Sequence, residues 1–236
     1  MSNRLVASAL AATACLAVTG ALSAPEAQAL SFNRANESFT INTSNEDDEG
    51  ESLLVLFNGF VEETLIPGLT AEALFTVDDI DLVNKLVKLT VEITNTTTIS
   101  NSRVSILGFD IDPNPTSVTS TGIFNIVASG NPPGNKVGPV EFCFKGAGGP
   151  NCNGGGGAGV SKGNTGTFNP EFSYSTLPAE ITLSNFFVRY QNVDGTPLGT
   201  SGVGVGQVPT PALLPGLIGM GVAALRKKQG ETAEEA

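Results

Sequence analysis

The sequence predicts an all-β fold, an antiparallel two-layer sandwich or jelly-roll-like domain. Two observations carry that prediction. Apolar residues recur at every second position along several stretches, which is the period of a strand with one face buried. Between the stretches lie turn formers, since the chain holds 28 Gly and 14 Pro while only 15% of its residues are charged, a composition unlike that of a helical bundle.

Taken in chain order, the first strand begins at Phe39 and Ile41. A second is expected over 52–60. Next, Leu69, Ala71, Ala73, Phe75 and Val77 alternate with Thr70, Glu72 and Thr76, and Leu89, Val91 and Ile93 alternate with Lys88, Thr90, Glu92 and Thr94. Between these two, residues 78–87 read as a helical turn with Asp78 or Asp79 as its N-cap. Along 104–112 the apolar parity shifts between Ile106 and Phe109, which predicts a β-bulge around Leu107 and Gly108. Val140, Phe142 and Phe144 alternate with Glu141, Cys143 and Lys145. Further strands are expected at 121–128, 167–174 and 181–193, giving about nine in all. With 13 Phe and no Trp, the core is expected to be built of Phe, Leu, Val and Ile. No repeat of 20–50 residues is visible.

Composition removes several kinds of chemistry. The chain of 236 residues has no His, so it has no imidazole base and no His metal ligand. Ser-His-Asp and Cys-His catalysis are thereby excluded. A net charge of −11 argues against binding nucleic-acid phosphates.

The two ends read as processing signals. Arg4, an apolar run over 5–21, and Ala27-Gln28-Ala29 form the n-region, h-region and A-x-A site of a signal peptide, residues 1–29. Cleavage is expected after Ala29, with Sec-type export machinery and signal peptidase as partners. Cys15 sits mid-run and lacks the Leu that opens a lipoprotein site. At the other end, Pro209, Thr210, Pro211 and Ala212 open an apolar run over 212–225, and Arg226, Lys227 and Lys228 close it. Those 14 residues span roughly 21 Å as a helix, short against a hydrocarbon core of about 30 Å. The run has no polar face, unlike a helix packed on a globular core. Basic residues stay on the cytoplasmic side, so the signal peptide and the tail both place residues 30–208 outside the cytoplasm. The two prolines lack an amide hydrogen and keep the segment extended and unpaired. The expected organisation is a signal peptide, an exported domain over 30–198, a Gly-rich linker over 199–208, a sorting signal over 209–228 and an acidic tail over 229–236.

This Pro-rich tetrapeptide, short apolar helix and basic cluster, in that order, resemble a PEP-CTERM sorting signal, and Pro209-Thr210-Pro211-Ala212 is similar to the PTPA variant common in cyanobacteria. The resemblance covers about 20 residues. It implies a substrate of an exosortase, held transiently in the inner membrane and then passed to the cell envelope or extracellular polysaccharide. The eight residues 229–236 beyond the basic cluster depart from the pattern, which normally ends sooner. Stretches 69–80 and 181–193 also resemble the cistern family of such proteins.

Within 30–208 there are 19 acidic and 8 basic residues, so the domain keeps the charge of −11. Cys143 and Cys152, the two cysteines left after signal removal, suit a disulfide in an exported chain, with free thiols as the alternative. Their spacing does not form a C-x-x-C redox motif. Asp110, Asp112 and Asn114 have the alternate spacing of a calcium loop but lack its Gly and distal Glu, so a solvated turn is the competing reading. Five carboxylates fall within 45–51, read as a solvated acidic loop. The Gly run at 154–157 lacks the Gly-Lys-Ser/Thr of a phosphate loop. Glu92 and Asp110 are acidic residues of the kind a glycosidase pairs, but sugar sites stack on aromatic faces and only Tyr174 and Tyr190 join the Phe residues. The reading is therefore non-enzymatic and without a cofactor, with a polysaccharide- or calcium-binding module as the alternative. Asn36, Asn42 and Asn95 begin Asn-x-Ser/Thr triplets.

Overall fold

The computed structural model describes residues 31–33, 38–130, 132, 137, 139–154 and 156–208. The predicted signal peptide, Ala27 and Ala29 included, and the whole of 209–236 lie outside the described residues. The described residues are all-β and hold no helix. Their strands are β1 (Ser31–Asn33), β2 (Ser38–Asn42), β3 (Ser52–Val61), β4 (Thr64–Asp81), β5 (Leu86–Thr94), β6 (Asn101–Asp112), β7 (Ser117–Gly122), β8 (Ile126–Gly130), β9 (Val140–Lys145), β10 (Val160–Ser161), β11 (Thr165–Ser173), β12 (Glu180–Asp194) and β13 (Ser201–Gln207).

All the strand pairs are antiparallel, and they join one sheet in the order β7-β11-β5-β4-β3-β13-β12-β6-β9-β8. β2 adds to β12 and carries β1, and β10 adds to β6. The sheet curls until it is nearly a barrel. Its two walls meet through phenylalanine rings. Phe109 on β6 lies 5.6 Å from Phe75 on β4 and 6.2 Å from Phe172 on β11, and Phe144 on β9 lies 5.4 Å from Phe168 on β11. Such edge and offset contacts add about 0.5–1.5 kcal/mol each beyond the burial of area.

A smaller apolar cluster lies on the outer face, where Ile106, Val140, Cys143, Cys152, Phe187 and Val203 are buried together. The consecutive Phe186 and Phe187 are thus buried on opposite faces, the first inside and the second outside. A bulge ahead of them shifts the parity of β12, so that Leu183 and Phe186, three residues apart, both face inward. Pairing of β12 with β6 jumps between Ser184 and Phe187, and Asn185 sits at φ 53°, a left-handed conformation that Asn tolerates.

Four expectations are corrected. The span 78–87 is not helical: β4 runs on to Asp81, whose carboxylate accepts from the amides of Val83 and Asn84 (3.0 and 2.7 Å) and closes a hairpin turn with Lys85 at φ 58°. Asp79 pairs with Lys88 at 2.8 Å instead of capping a helix. The bulge on β6 falls two residues early. Arg189 faces Ile106 while Tyr190 faces Val104, so Ser105 is the extra residue, and its hydroxyl donates to the Arg189 carbonyl. The span 121–128 is broken between β7 and β8, where the Phe124 carbonyl accepts from the Ser120 hydroxyl and its ring packs 5.3 Å from Phe168.

The fourth correction concerns 199–208, which is not a linker. β13 occupies Ser201–Gln207 and sits between β3 and β12 in the interior of the sheet. Its glycines are there for space. A Cβ on Gly204 would stand 2.7 Å from Val188 and 2.9 Å from Tyr190, and one on Gly206 would stand 2.5 Å from Phe186. Alternate glycine on the inner side and Val203 and Val205 on the outer side let this strand pass close over bulky neighbours.

Candidate functional site

Cys143 lies on the outer side of β9, and the chain turns back through a Gly-rich loop that brings Cys152 to it, with sulfurs 2.13 Å apart and Cα atoms 5.9 Å apart. Lys145, two residues along the same strand and so on the same face, is fully buried. Its ammonium donates to the carbonyl of Asn151, the residue next to Cys152. Burial holds that amine below the ordinary lysine range. The cysteine pair and the lysine therefore fasten the same loop from two directions. Arg103 fastens its far end, donating to the Gly156 carbonyl at 2.6 Å and to Gln191 at 2.8 Å. A cation thus ties the Gly-rich stretch at Gly156.

With a sequence separation of 9, opening the disulfide is expected to lower stability by about 2.7 kcal/mol, from the loop entropy that it removes from the unfolded chain. Urea unfolding with and without reductant measures this. An unchanged midpoint would mean that the loop is held without the bond.

The calcium candidates do not gather into a cage. Asp110 and Asp112 sit at the end of β6, but one Asp110 oxygen accepts from the Glu141 amide (2.8 Å) and the other from the Asn185 side chain (3.0 Å). Glu141 reciprocates by accepting from the Ile111 amide at 2.9 Å, so two carboxylates replace ladder bonds where β6 and β9 diverge. Asp112 and Asn114 are exposed. Among the described residues no group of three or more His, Cys, Asp or Glu is placed to hold a metal. Glu92 does not meet Asp110, since it projects outward from β5, on the wall across from β6.

The acidic loop is only partly solvated. Asp48 is buried and accepts from the Asn42 amide (2.7 Å), and Glu49 accepts from the Ile80 amide (2.8 Å), so both cap neighbouring strands. Asn95 is buried and its side chain donates to Ser102 and to the Val160 carbonyl (3.0 Å), which leaves no room for a glycan in the folded chain. Asn42 is exposed, and Asn36 lies outside the described residues. Tyr174 and Tyr190 are buried, and neither hydroxyl has a hydrogen-bond partner. Burial raises the pKa of both, with the Asp112 charge adding to the effect at Tyr174. Neither ring offers a face to a sugar.

A depression of about 360 Å³ that sequence reasoning missed lies on the outer face of the opposite wall, lined by Leu54, Glu72, Leu74, Glu92, Thr94 and Thr165. Leu54 pairs with Leu74 and Leu74 with Glu92, so the lining residues are neighbours on consecutive strands. Leu54 and Leu56 on β3 are 37% and 40% exposed, out of register with the apolar-in, polar-out rule that β3 otherwise follows. No protein-family model matches the chain, and no curated protein matches it.

Proposed function

We propose that this chain is a non-enzymatic exported protein of the cell surface or extracellular matrix, and that its C-terminus is a sorting signal read by an exosortase. The observation that carries the reading is the order of three features at that end, with nothing strongly polar between them: Pro209-Thr210-Pro211-Ala212, the apolar run over 212–225 and the basic cluster Arg226-Lys227-Lys228. A signal peptide at the other end, cut after Ala29, supplies the export step. The strand framework from Ser31 to Gln207 fits between the two signals. The Cys143–Cys152 pairing suits an oxidising compartment. On this reading the curled sheet is a jelly-roll-like, two-layer scaffold, anchored briefly in the inner membrane and then released to the envelope or to extracellular polysaccharide. The residues needed for exosortase processing are those of the tail alone.

Replacing Pro209, Thr210 and Pro211 with three alanines is expected to leave the uncut precursor in the membrane fraction of the native host. The measurement is the ratio of membrane-bound precursor to released product over time. Release of the variant at the wild-type rate overturns the proposal.

A further inference from the structure

Two Asn-Gly pairs occur in the chain, Asn58-Gly59 and Asn153-Gly154. Such a pair can react with itself. The backbone nitrogen of the glycine attacks the side-chain amide carbon of the asparagine, and a glycine has no Cβ to block the approach. The reaction needs the backbone between the two residues to turn, so the surrounding structure decides whether it runs.

The fold treats the two pairs differently. Asn58 lies within β3, between Thr70 on β4 and Val205 on β13, and its side-chain nitrogen donates to Gln207 at 3.1 Å. Gly59 is buried opposite Gly204, and a Cβ on it would stand 2.3 Å from Leu69. Neither residue can turn without breaking the ladder in the interior of the sheet. Asn153 follows Cys152 in the return loop and is exposed. Among the described residues its side chain has no hydrogen-bond partner, and the Gly154 amide donates to no acceptor. Gly154 belongs to no strand and holds a φ of 60°.

The loop also suits the product, which carries a negative charge. Arg103 and Lys145 bond, among the described residues, to oxygens of Gly156, Gln191 and Asn151 and to no carboxylate. Gln191, which accepts from Arg103, is also the side chain beside Gly154: a Cβ there would lie 3.5 Å from its nitrogen. On a chain of net charge −11, a new carboxylate at position 153 arrives next to cations and not next to other acids.

We propose that Asn153 is a site of spontaneous deamidation. The Gly154 nitrogen forms a bond to the side-chain carbonyl carbon of Asn153, the amide proton passes to the departing nitrogen, and ammonia leaves. Water then opens the five-membered imide at either carbonyl, giving an aspartyl or an isoaspartyl link. Each chain gains one negative charge with time, without an enzyme or a cofactor. The inference uses the loop and β3 alone, so it stands whether or not the tail is processed.

The test incubates the full, freshly made chain in neutral buffer at physiological temperature and samples it over days. Each sample is digested at mildly acidic pH, where the reaction is slow, and the two Asn-Gly peptides are separated by chromatography and weighed. The peptide holding Asn153 is expected to exchange NH2 for OH and to split into two products, one co-eluting with the peptide from Asn153→Asp. The peptide holding Asn58 should stay unchanged until urea and reductant unfold the chain, when both convert. Gly154→Ala should slow conversion at least about tenfold, equal to about 1.4 kcal/mol in the barrier. Asn153→Gln, which leaves Gly154 in place, should give no product because the larger ring closes far more slowly. Conversion at Asn58 as fast as at Asn153 in the folded chain would overturn the proposal. So would an intact amide at Asn153 after the unfolded chain has converted, or an aspartyl product with no isoaspartyl form.

Discussion

Phe109→Ala is expected to lower the free energy of unfolding by about 3–5 kcal/mol, at the upper end of what single substitutions in cores cost. The residue is fully buried, and its ring lies between 5.2 and 6.2 Å from those of Phe75, Phe144, Phe172 and Phe186. Those four partners come from β4, β9, β11 and β12, so Phe109 touches strands of both walls. Truncation removes the transfer energy of the ring and leaves a cavity whose lining is made of rigid rings, which cannot collapse into it easily. Leu65→Ala is the control, since Leu65 is 51% exposed at a hairpin and should cost well under 1 kcal/mol. Urea unfolding of the three proteins measures both effects. A loss below about 1 kcal/mol at Phe109 would mean that the walls do not rest on one another there.

That centre was legible in the sequence, and so was most of the framework. Alternation alone placed Phe75 and Val77 on one face and Thr76 on the other, and all three lie on the long strand β4 with the expected face buried. What alternation cannot report is which second face will also be covered. Ile106 and Phe187 look like the wrong parity for their strands, yet both are buried, because the Gly-rich return to Cys152 covers the outer face there. A bulge is read from the sequence as a change of parity, and covering both faces blurs the place where parity changes. That is why the extra residue on β6 is Ser105 and not its neighbours at 107 and 108. Among the candidate sites, the cysteine pair was readable from its count and spacing, and the sulfurs do meet. Lys145 was not readable, because a lysine alternating with Phe144 on a strand resembles any solvent-facing lysine until the loop that covers it is known. The depression on the outer wall was equally hidden. It arises from register between three strands, and no local pattern specifies which leucine will face which glutamate.

The same limit governs β13, where the largest effect is expected. A chain that stops after Thr200 should fail to fold cooperatively, whereas one that stops after Val208 should unfold in a single transition like the longer chain. If residues 199–208 were a flexible spacer, the two would behave alike. In this structure, removing Ser201–Gln207 takes away the strand paired on both sides, with Val203 facing Phe60 on β3 and Arg189 on β12. Two rows of backbone N–H and C=O groups would lose their partners in the middle of the sheet. The inner face of Tyr190 and Phe186, now packed close against Gly204 and Gly206, would open to water. Each of these losses is worth several kcal/mol, and together they exceed the 5–15 kcal/mol by which a domain is usually stable. Far-ultraviolet circular dichroism and thermal melting of the two truncated chains decide the matter, and equal melting temperatures would return the segment to a linker. The period was present in the sequence all along, as glycine at 202, 204 and 206 and valine at 203 and 205. Glycine is the side chain that an inner position needs when two aromatic rings already fill the space beneath it, so composition signals flexibility at the place where packing is tightest.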